Sequence, residues 1–268
     1  MDFIFVLVLG ALWGSFANVC IYRLPLERGV VSGRSFCPKC NKTITWKDNI
    51  PIISFLFLKG KCRNCNKKIS SQYLTVEAIS ILLFLIIYYL YGISITTLLL
   101  MILGLSFLII FFIDFKHYII PNVLTFSMMF LGFVKSFVPN LNPMFPNYVN
   151  SLIGGTFGYL LIWSIIIFYN SVSNLNRKHN LFKSIFRQKE GMGLGDAKLL
   201  SAIGFWFGWF SIPFVIFLSS IIALLSVAPS LINKSRKFSS QIPFGPYIIL
   251  ATLIYLMFES KIRLIIFY

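Results

Sequence analysis

Long apolar runs separated by short polar breaks dominate the chain. Eight runs come close to the length of about 20 residues that an α-helix needs to cross a bilayer. They are Phe3–Ile21, Val76–Tyr91, Ile95–Ile113, Val123–Val138, Val149–Tyr169, Leu199–Phe210, Ile212–Ile232 and Ile242–Phe258. The Leu199–Phe210 run is the shortest and can span only if its helix begins near Gly195. The pattern predicts an all-α polytopic membrane protein with about eight transmembrane helices.

The stretch from residue 23 to residue 74 interrupts this pattern because it is polar and strongly basic. It contains too few large apolar residues to bury a core of its own. The pattern therefore divides the chain into a first transmembrane helix at 1–22, a loop domain at 23–74 and a transmembrane core at 75–268.

Composition supports the membrane assignment and sets the orientation. The mean hydropathy is +0.82, and 57% of the 268 residues are hydrophobic while 12% are charged, outside the range of soluble domains. The loops on one side of the predicted helices hold 21 Lys and Arg residues, against 3 on the other side. The positive-inside rule makes the richer side cytosolic and leaves both termini outside. The net charge of +16 is thereby explained without a nucleic-acid partner.

Four of the five cysteines lie in the basic loop as two C-x-x-C pairs, Cys37 with Cys40 and Cys62 with Cys65. The pattern C-x-x-C-N-K-x-I occurs at both pairs, which indicates a local duplication. Two such pairs supply four thiolates to one tetrahedral ion, so the spacing predicts a structural zinc site in a small zinc-ribbon-like domain. Unliganded or redox-active cysteines are the alternative. Cys20, within the first run, is interpreted as a packing residue.

Two of the four Asp residues lie at the ends of apolar runs. Asp114 ends the third run, and Asp196 precedes the sixth within Gly191-Met192-Gly193-Leu194-Gly195-Asp196-Ala197-Lys198. The charge count places both at cytosolic helix ends. Ionisable residues beside hydrocarbon are costly and usually face a bundle interior or a wet cavity where they have a function. The three alternating glycines permit positive φ and close backbone approach, which leaves room for an extended peptide.

Two carboxylates that share a partly desolvated site titrate as a unit, because both cannot ionise easily. The ionised member can deprotonate a water while the protonated member hydrogen-bonds to the scissile carbonyl. Asp114 and Asp196 are therefore predicted to be the catalytic pair of an aspartic-type endopeptidase. A Ser/His/Asp triad is not credible, since the only histidines are His117 and His179, and His179 lies in a basic loop.

Each of these aspartates also has a simpler interpretation. Asp114 is near Lys116 and His117 in sequence and fits an interfacial ion pair. Asp196 fits the N-cap of a helix that starts near Ala197. The sequence leaves open whether the two carboxylates meet in space.

Several motifs, in this order, resemble the type IV prepilin peptidases, leader peptidase/N-methyltransferases of the G-x-G-D aspartic membrane protease family. The matching segments run over nearly the whole chain and are Gly14-Ser15-Phe16, Asn18-Val19, Tyr22-Arg23-Leu24-Pro25, both C-x-x-C pairs, Gly60-Lys61-Cys62-Arg63, Tyr73, Val76-Glu77, Asp114, Ile120-Pro121-Asn122, residues 191–199 and Ile242-Pro243-Phe244-Gly245-Pro246. The combination is highly specific, whereas G-x-G-D alone is weak.

The resemblance implies cleavage of a short basic leader from prepilins or pseudopilins at the cytosolic face of the bacterial inner membrane, with Asp114 and Asp196 as the catalytic pair. It also implies methylation of the new N-terminal residue from S-adenosylmethionine. No soluble methyltransferase fingerprint is visible, so no residue is assigned to the methyl donor. Glu77, at the junction of loop and span, is a candidate for that role, and a plain Lys or Arg partner fits it equally well.

Two other functions fit part of the pattern. A proton-coupled transporter would also use intramembrane aspartates, but it predicts inverted repeats and acids at the midplane, and neither is seen in the sequence. A membrane-anchored zinc-ribbon adaptor would explain the cysteines, but it leaves the glycine-flanked Asp196 without a role.

Overall fold

The computed structural model describes residues 2–31, 33–139, 141–178, 193–232 and 242–267. Within these ranges the chain is helical, and two isolated β-bridges take the place of strands. The helices are α1 (Asp2–Arg23), α2 (Ile53–Phe57), α3 (Ser71–Tyr91), α4 (Ile95–His117), α5 (Asn122–Val134), α6 (Tyr148–Lys178), α7 (Leu194–Phe207), α8 (Ser211–Ile232) and α9 (Gly245–Phe267). Each of the eight predicted runs coincides with a helix other than α2, so the prediction of an all-α membrane protein is confirmed.

Helix length supports fewer membrane crossings than the eight apolar runs of the sequence. In the described part of the chain, five helices are long and apolar enough to span: α1, α3, α4, α6 and α8. The apolar parts of α5 and α9 are shorter, at Asn122–Phe137 and Gly245–Glu259. Helix α7 has 14 residues, about 21 Å, against a hydrocarbon core of about 30 Å. The predicted count of eight spans is therefore not confirmed.

The chain divides into two compact units, Met1–Ile113 and Asp114–Tyr268. In the first unit, α1 and α3 pack closely because Gly10 and Gly14 of α1 face the backbone of α3. A Cβ added at Gly14 would lie 2.8 Å from the Cα of Glu77. The predicted three-part division at residues 22 and 74 stays a prediction.

Helix α7 is the most buried helix of the second unit. Ten of its fourteen residues are buried, as expected for a helix that is apolar on every side. Its backbone crosses that of α6 where Gly204 meets Gly154, and a Cβ at either position would overlap the other backbone. The Trp206 Nε1–H also donates to the Met128 carbonyl of α5 at 2.8 Å. These contacts fix the helix that carries Asp196.

Lys135, just after α5, is buried, although the charge count assigned it to the external end of the run Val123–Val138. Its side chain is 2% exposed, and its Nζ has no hydrogen-bond acceptor among the described residues. The Nζ lies 4.3 Å from the ring centre of Phe145 and 5.5 Å from that of Trp206. Cation–π attraction therefore stabilises the ammonium in place of an ion pair.

We expect Lys135→Met to leave the thermal stability of the detergent-solubilised protein unchanged or to raise it, because a similar apolar volume replaces a desolvated charge. Lys135→Ala is the control, since it leaves a cavity and is expected to cost about 2 kcal/mol or more. Thermal unfolding of both variants measures this. A larger loss for Met than for Ala would contradict the account of the burial.

Candidate active site

Asp114 lies in the last turn of α4 and belongs to the second compact unit. Its side chain is buried, and its Oδ2 accepts a hydrogen bond of 2.9 Å from the backbone N–H of Gly245. Gly245 is the first residue of α9. The carboxylate thus satisfies an N–H that the helix itself leaves without a partner, and it faces the positive end of the helix dipole.

Asp196 is the third residue of α7 and is also buried. Its Oδ2 accepts a hydrogen bond of 3.0 Å from the backbone N–H of Gly193, which precedes the helix. The interpretation of Asp196 as an N-cap is therefore wrong in detail, because Gly193 occupies the N-cap and the helix starts at Leu194. The aspartate caps the helix from inside its first turn.

Both aspartates lie in the second unit, and the helix starts that hold them pack against one common side chain, that of Ile120. The Ile120 side chain faces Gly195 in the first turn of α7, and it also faces Gly245, whose N–H binds Asp114. No ion pair of Asp114 with Lys116 or His117 is seen in the described part of the chain, so the alternative interpretation of Asp114 as a member of such a pair is not supported.

The described glycines of the G-x-G-D segment matter because they lack a side chain and not because they adopt positive φ angles. Gly193 has φ −87° in an extended conformation, and Gly195 also lies outside the left-handed region. A Cβ at Gly195 would stand 3.1 Å from the Cβ of Ile120, so this glycine permits close packing. A Cβ added at Gly193 would meet no described atom nearer than 3.8 Å. Gly191, also part of the prediction, lies outside the described residues.

Gly245 provides a sharp test of this geometry. A Cβ added at Gly245 would lie 2.7 Å from the Asp114 Oδ2, so Gly245→Ala must displace the carboxylate. We expect peptide cleavage to fall by about 100-fold, the cost of roughly 1 Å of misplacement in a reacting group.

Gly193→Ala is the matched control, because it also adds one methyl beside an N–H that binds an aspartate, but one that meets no described atom nearer than 3.8 Å. It should retain activity within a few-fold of wild type. Equal losses in the two variants, measured as kcat/KM on a precursor peptide, would speak against steric displacement of Asp114.

The four predicted cysteine ligands form one cluster in the first unit. The sulfurs of Cys37, Cys40, Cys62 and Cys65 all lie within 4.8 Å of one another, and the Cys37–Cys65 distance is 4.0 Å. Zinc–sulfur bonds of about 2.3 Å place tetrahedral sulfurs about 3.8 Å apart. The cluster therefore has the donors and nearly the spacing for one metal ion.

The sequence duplication produces the same turn twice. In the first turn the Cys37 carbonyl accepts from the Asn41 N–H at 2.8 Å, and in the second the Cys62 carbonyl accepts from the Asn66 N–H at 2.9 Å. Both asparagines have left-handed φ values, 56° and 53°, which asparagine tolerates better than most residues. The backbone N–H groups of Cys65 and Asn64 lower the pKa of Cys62 to about 7. At Cys65 the Lys67 N–H also lowers the pKa, but burial and the neighbouring sulfurs outweigh it and raise that pKa to about 11.

Glu77 has a partner that the sequence did not predict. Its Oε2 accepts a hydrogen bond of 2.7 Å from the backbone N–H of Ile52, at the start of α2. The side chain is buried where α3 packs on Gly14 of α1. Neither a methyl donor nor a Lys or Arg is needed to explain its position.

Comparison with known proteins identifies the family. A protein of Vibrio cholerae named prepilin leader peptidase/N-methyltransferase is 35% identical, over 95% of this chain and 97% of its own. Proteins of the same name from Aeromonas salmonicida and Pseudomonas aeruginosa are each 31% identical, over 97% and 96% of this chain and 92% and 90% of theirs. The type IV leader peptidase family model matches residues 99–228. The chain belongs to this family.

Two family models match different ranges of the chain, and each range contains some of the candidate residues. The bacterial peptidase A24 N-terminal domain matches residues 8–91 and holds the four cysteines and Glu77, whereas the leader peptidase range holds Asp114 and Asp196. Gly245 lies beyond both ranges. No solved structure matches the chain.

The role of Gly245 is the part of the site that sequence reasoning missed. The motif around it was noted, but the last helix was expected to start at Ile242 and no function was given to the N–H of residue 245. The usable signal is Pro246 directly after Gly245, because proline favours the first turn of a helix. That signal marks a helix start with free N–H groups, although it does not name the carboxylate that accepts from them.

Proposed function

We propose that this protein cleaves the leader peptide from prepilins or pseudopilins and methylates the new N-terminal residue, with Asp114 and Asp196 as the catalytic pair of the cleavage step. The observation that supports the proposal is two buried carboxylates, each held by a backbone N–H at a helix start, with Ile120 packed against both helix starts, in a member of the leader peptidase family. The transporter alternative is not favoured, because the family's named members are peptidases.

The arrangement of hydrogen bonds supports different roles for the two oxygens of each carboxylate. In both aspartates Oδ2 accepts the glycine N–H, and no described group donates to Oδ1. The two Oδ1 atoms are thus available to hold a water and one proton between them. One carboxylate takes a proton from the water as it attacks the peptide carbonyl, while the other, protonated, donates to the carbonyl oxygen. The departing amine then receives a proton from the pair.

The backbone donors keep each carboxylate in the same position during the reaction. An N–H of the main chain cannot titrate or change rotamer, so each Oδ2 stays fixed while protons move at Oδ1. The packing of α7 against α5 and α6 holds Asp196 in place, as does the crossing of Gly154 and Gly204. Fixed carboxylates avoid the cost of reorganisation in the transition state.

The four cysteines are proposed to hold one structural Zn²⁺. Four thiolates fill a tetrahedral shell and leave no open position for water or substrate, so the metal would stabilise the loop without taking part in cleavage. The loop between α1 and α3 has little apolar core, and a metal would supply much of its folding energy. Two further contacts brace the loop: Arg63 donates to both oxygens of Asp48 and lowers the pKa of that carboxyl.

The site is proposed to face the cytosol of a bacterial cell, in a multi-pass protein of the inner membrane. The support is the charge asymmetry of the loops, 21 basic residues against 3, which puts the helix ends that carry Asp114 and Asp196 on the cytosolic side. A basic leader presented from the cytosol then reaches the carboxylates without crossing the membrane.

Methylation requires S-adenosylmethionine as the methyl donor, and the described residues do not assign its site. Glu77 accepts the Ile52 N–H with one oxygen, and this hydrogen bond does not assign Glu77 to the methyl donor. The donor supplies the methyl group to the amine that cleavage releases.

The proposed function is tested by incubating the purified protein in detergent with a prepilin precursor, with and without S-adenosylmethionine carrying a labelled methyl group. We expect a shortened product in both reactions and label on its N-terminal residue only when the donor is present. An intact precursor after prolonged incubation with folded protein would reject the peptidase. A shortened but unlabelled product would reject the methyltransferase alone.

A further inference from the structure

Helix α2 presents an apolar face outward from the cysteine loop. Ile53, Leu56 and Phe57 are 52%, 62% and 84% exposed, and their spacing places them on one side of the helix. The inward side carries Ser54, which is buried and donates to the Lys47 carbonyl at 3.0 Å. This is the reverse of a helix packed on a protein core, and exposed apolar patches of this kind usually mark an interaction surface.

Trp46 is a further exposed apolar side chain close to α2. It is 75% exposed and begins the 3-10 turn Trp46–Asn49, which the Ser54 hydrogen bond to Lys47 ties to α2. Tryptophan is enriched where apolar chains meet polar headgroups, because its ring is amphipathic. We call Trp46, Ile53, Leu56 and Phe57 together the α2 face.

Glu77 fixes the height of the α2 face along a membrane helix. It is the seventh residue of α3, about 9 Å from the start of that helix at 1.5 Å per residue. Helix α3 is one of the five candidate spans, and the Ile52 N–H donates to Glu77 directly before α2. Helix α2 therefore lies beside the first two turns of a span, at the depth of the boundary between headgroups and acyl chains.

The conformation of Ile52 makes this attachment specific. Its φ of 60° is rare for a β-branched residue and persists only where the surroundings enforce it. Two hydrogen bonds hold this residue: its N–H donates to Glu77 at 2.7 Å, and its carbonyl accepts from the Leu56 N–H at 3.0 Å. The unfavourable backbone conformation at Ile52 therefore accompanies the attachment of α2 beside Glu77 of α3.

The rim of the α2 face is basic. Lys47 and Lys59 flank it in sequence and are exposed, and Lys61 follows. Of the acids nearby, Asp48 is paired with Arg63, and Glu77 is buried and accepts the Ile52 N–H. Positive charge around an apolar face favours an anionic lipid surface. The same charge disfavours a basic peptide, such as the leader that this family removes, as the occupant of this face.

We propose that the α2 face inserts into the anionic lipid surface of the membrane and docks the cysteine loop on the bilayer. Ile53, Leu56, Phe57 and Trp46 enter the boundary between headgroups and acyl chains, and Lys47 and Lys59 contact lipid phosphates. The loop is then a monotopic element attached beside α3 and not a domain free in the cytosol. The proposal does not depend on the proposed peptidase activity.

The test is photocrosslinking of the full chain in vesicles of phosphatidylethanolamine and phosphatidylglycerol. The photoreactive residue p-benzoylphenylalanine replaces Phe57 in one variant and Lys42, an exposed polar position on the same loop, in the other. After illumination, mass spectrometry identifies adducts to acyl chains. We expect at least about tenfold more acyl-chain adduct at position 57 than at position 42. Equal metal content in the two variants checks that the loop is folded in both.

Two results would overturn the proposal. Crosslinks from position 57 to protein instead of lipid would identify the α2 face as a protein interface. Lipid adducts at equal levels from positions 57 and 42 would show contact without a docked face.

The charge of the rim is tested separately with Lys47→Gln and Lys59→Gln combined in the Phe57 photoreactive variant. We expect the lipid adduct to fall about threefold in the vesicles that contain phosphatidylglycerol and to stay unchanged in phosphatidylcholine vesicles. An unchanged adduct in both kinds of vesicle would refute the preference for anionic lipid.

Discussion

We expect Asp114→Asn and Asp196→Asn each to abolish leader cleavage, with a fall in kcat/KM of at least about 10³-fold. An amide of the same shape keeps the side-chain volume, and its oxygen can still accept the Gly245 or Gly193 N–H. It cannot take a proton from water, and it cannot share one proton with the other carboxylate. The variants therefore remove the chemistry and leave the geometry nearly intact. The measurement is cleavage of a prepilin precursor by purified protein in detergent.

Glu27→Gln is the matched control, because it makes the same carboxylate-to-amide change at an exposed residue of the loop. It should cleave at the wild-type rate. Thermal unfolding of all three variants checks that they remain folded. Cleavage that persists in either aspartate variant would exclude the two-carboxylate mechanism, whereas loss in Glu27→Gln would point to a general effect of charge.

Cys37→Ser and Cys62→Ser are each expected to empty the metal site and unfold the cysteine loop. Each change removes one of four thiolates, and a neutral hydroxyl binds zinc poorly. Structural zinc in small domains is worth about 10–16 kcal/mol of apparent binding energy, so a loop with little core cannot replace it. Metal analysis should fall from about one zinc per chain to a small fraction. Proteolysis should begin within the loop between α1 and α3.

Cys20→Ser provides the comparison, since Cys20 is the remaining cysteine and lies in α1, away from the cluster. It should retain zinc and an intact loop. The hydrogen bonds that hold Asp114 and Asp196 come from Gly245 and Gly193, so we expect the loop variants to retain the cleavage chemistry. Full zinc content after the loss of two cysteines, one from each pair, would contradict a four-thiolate site.

Local patterns predicted the helices and the cysteine cluster well because both depend mainly on short-range chemistry. Every long apolar run is a helix, and the repeated C-x-x-C-N-K segment forms the same turn twice. The boundaries of α7 were wrong by a few residues. Its run was expected to extend to Phe210, but the helix ends at Phe207 because Gly208, with φ 82°, stops it.

The connections between distant residues could not be predicted from local patterns. Asp114 and Gly245 are 131 positions apart, and Glu77 finds Ile52 through a loop whose path no periodicity defines. Lys135 is similar, since its aromatic neighbours Phe145 and Trp206 come from other parts of the chain. Predicting such partners requires the packed helices themselves, because single sequences contain no record of which helix faces meet.

The hydrogen bond from Gly245 to Asp114 also determines when the site exists during biosynthesis. Residue 114 leaves the ribosome long before residue 245, and until α9 has entered the membrane the Asp114 carboxylate lacks the donor that positions it. A nascent chain with both aspartates already synthesised therefore still lacks this contact. Because the donor is 131 positions further along the chain, the position of Asp114 depends on the insertion and packing of α9.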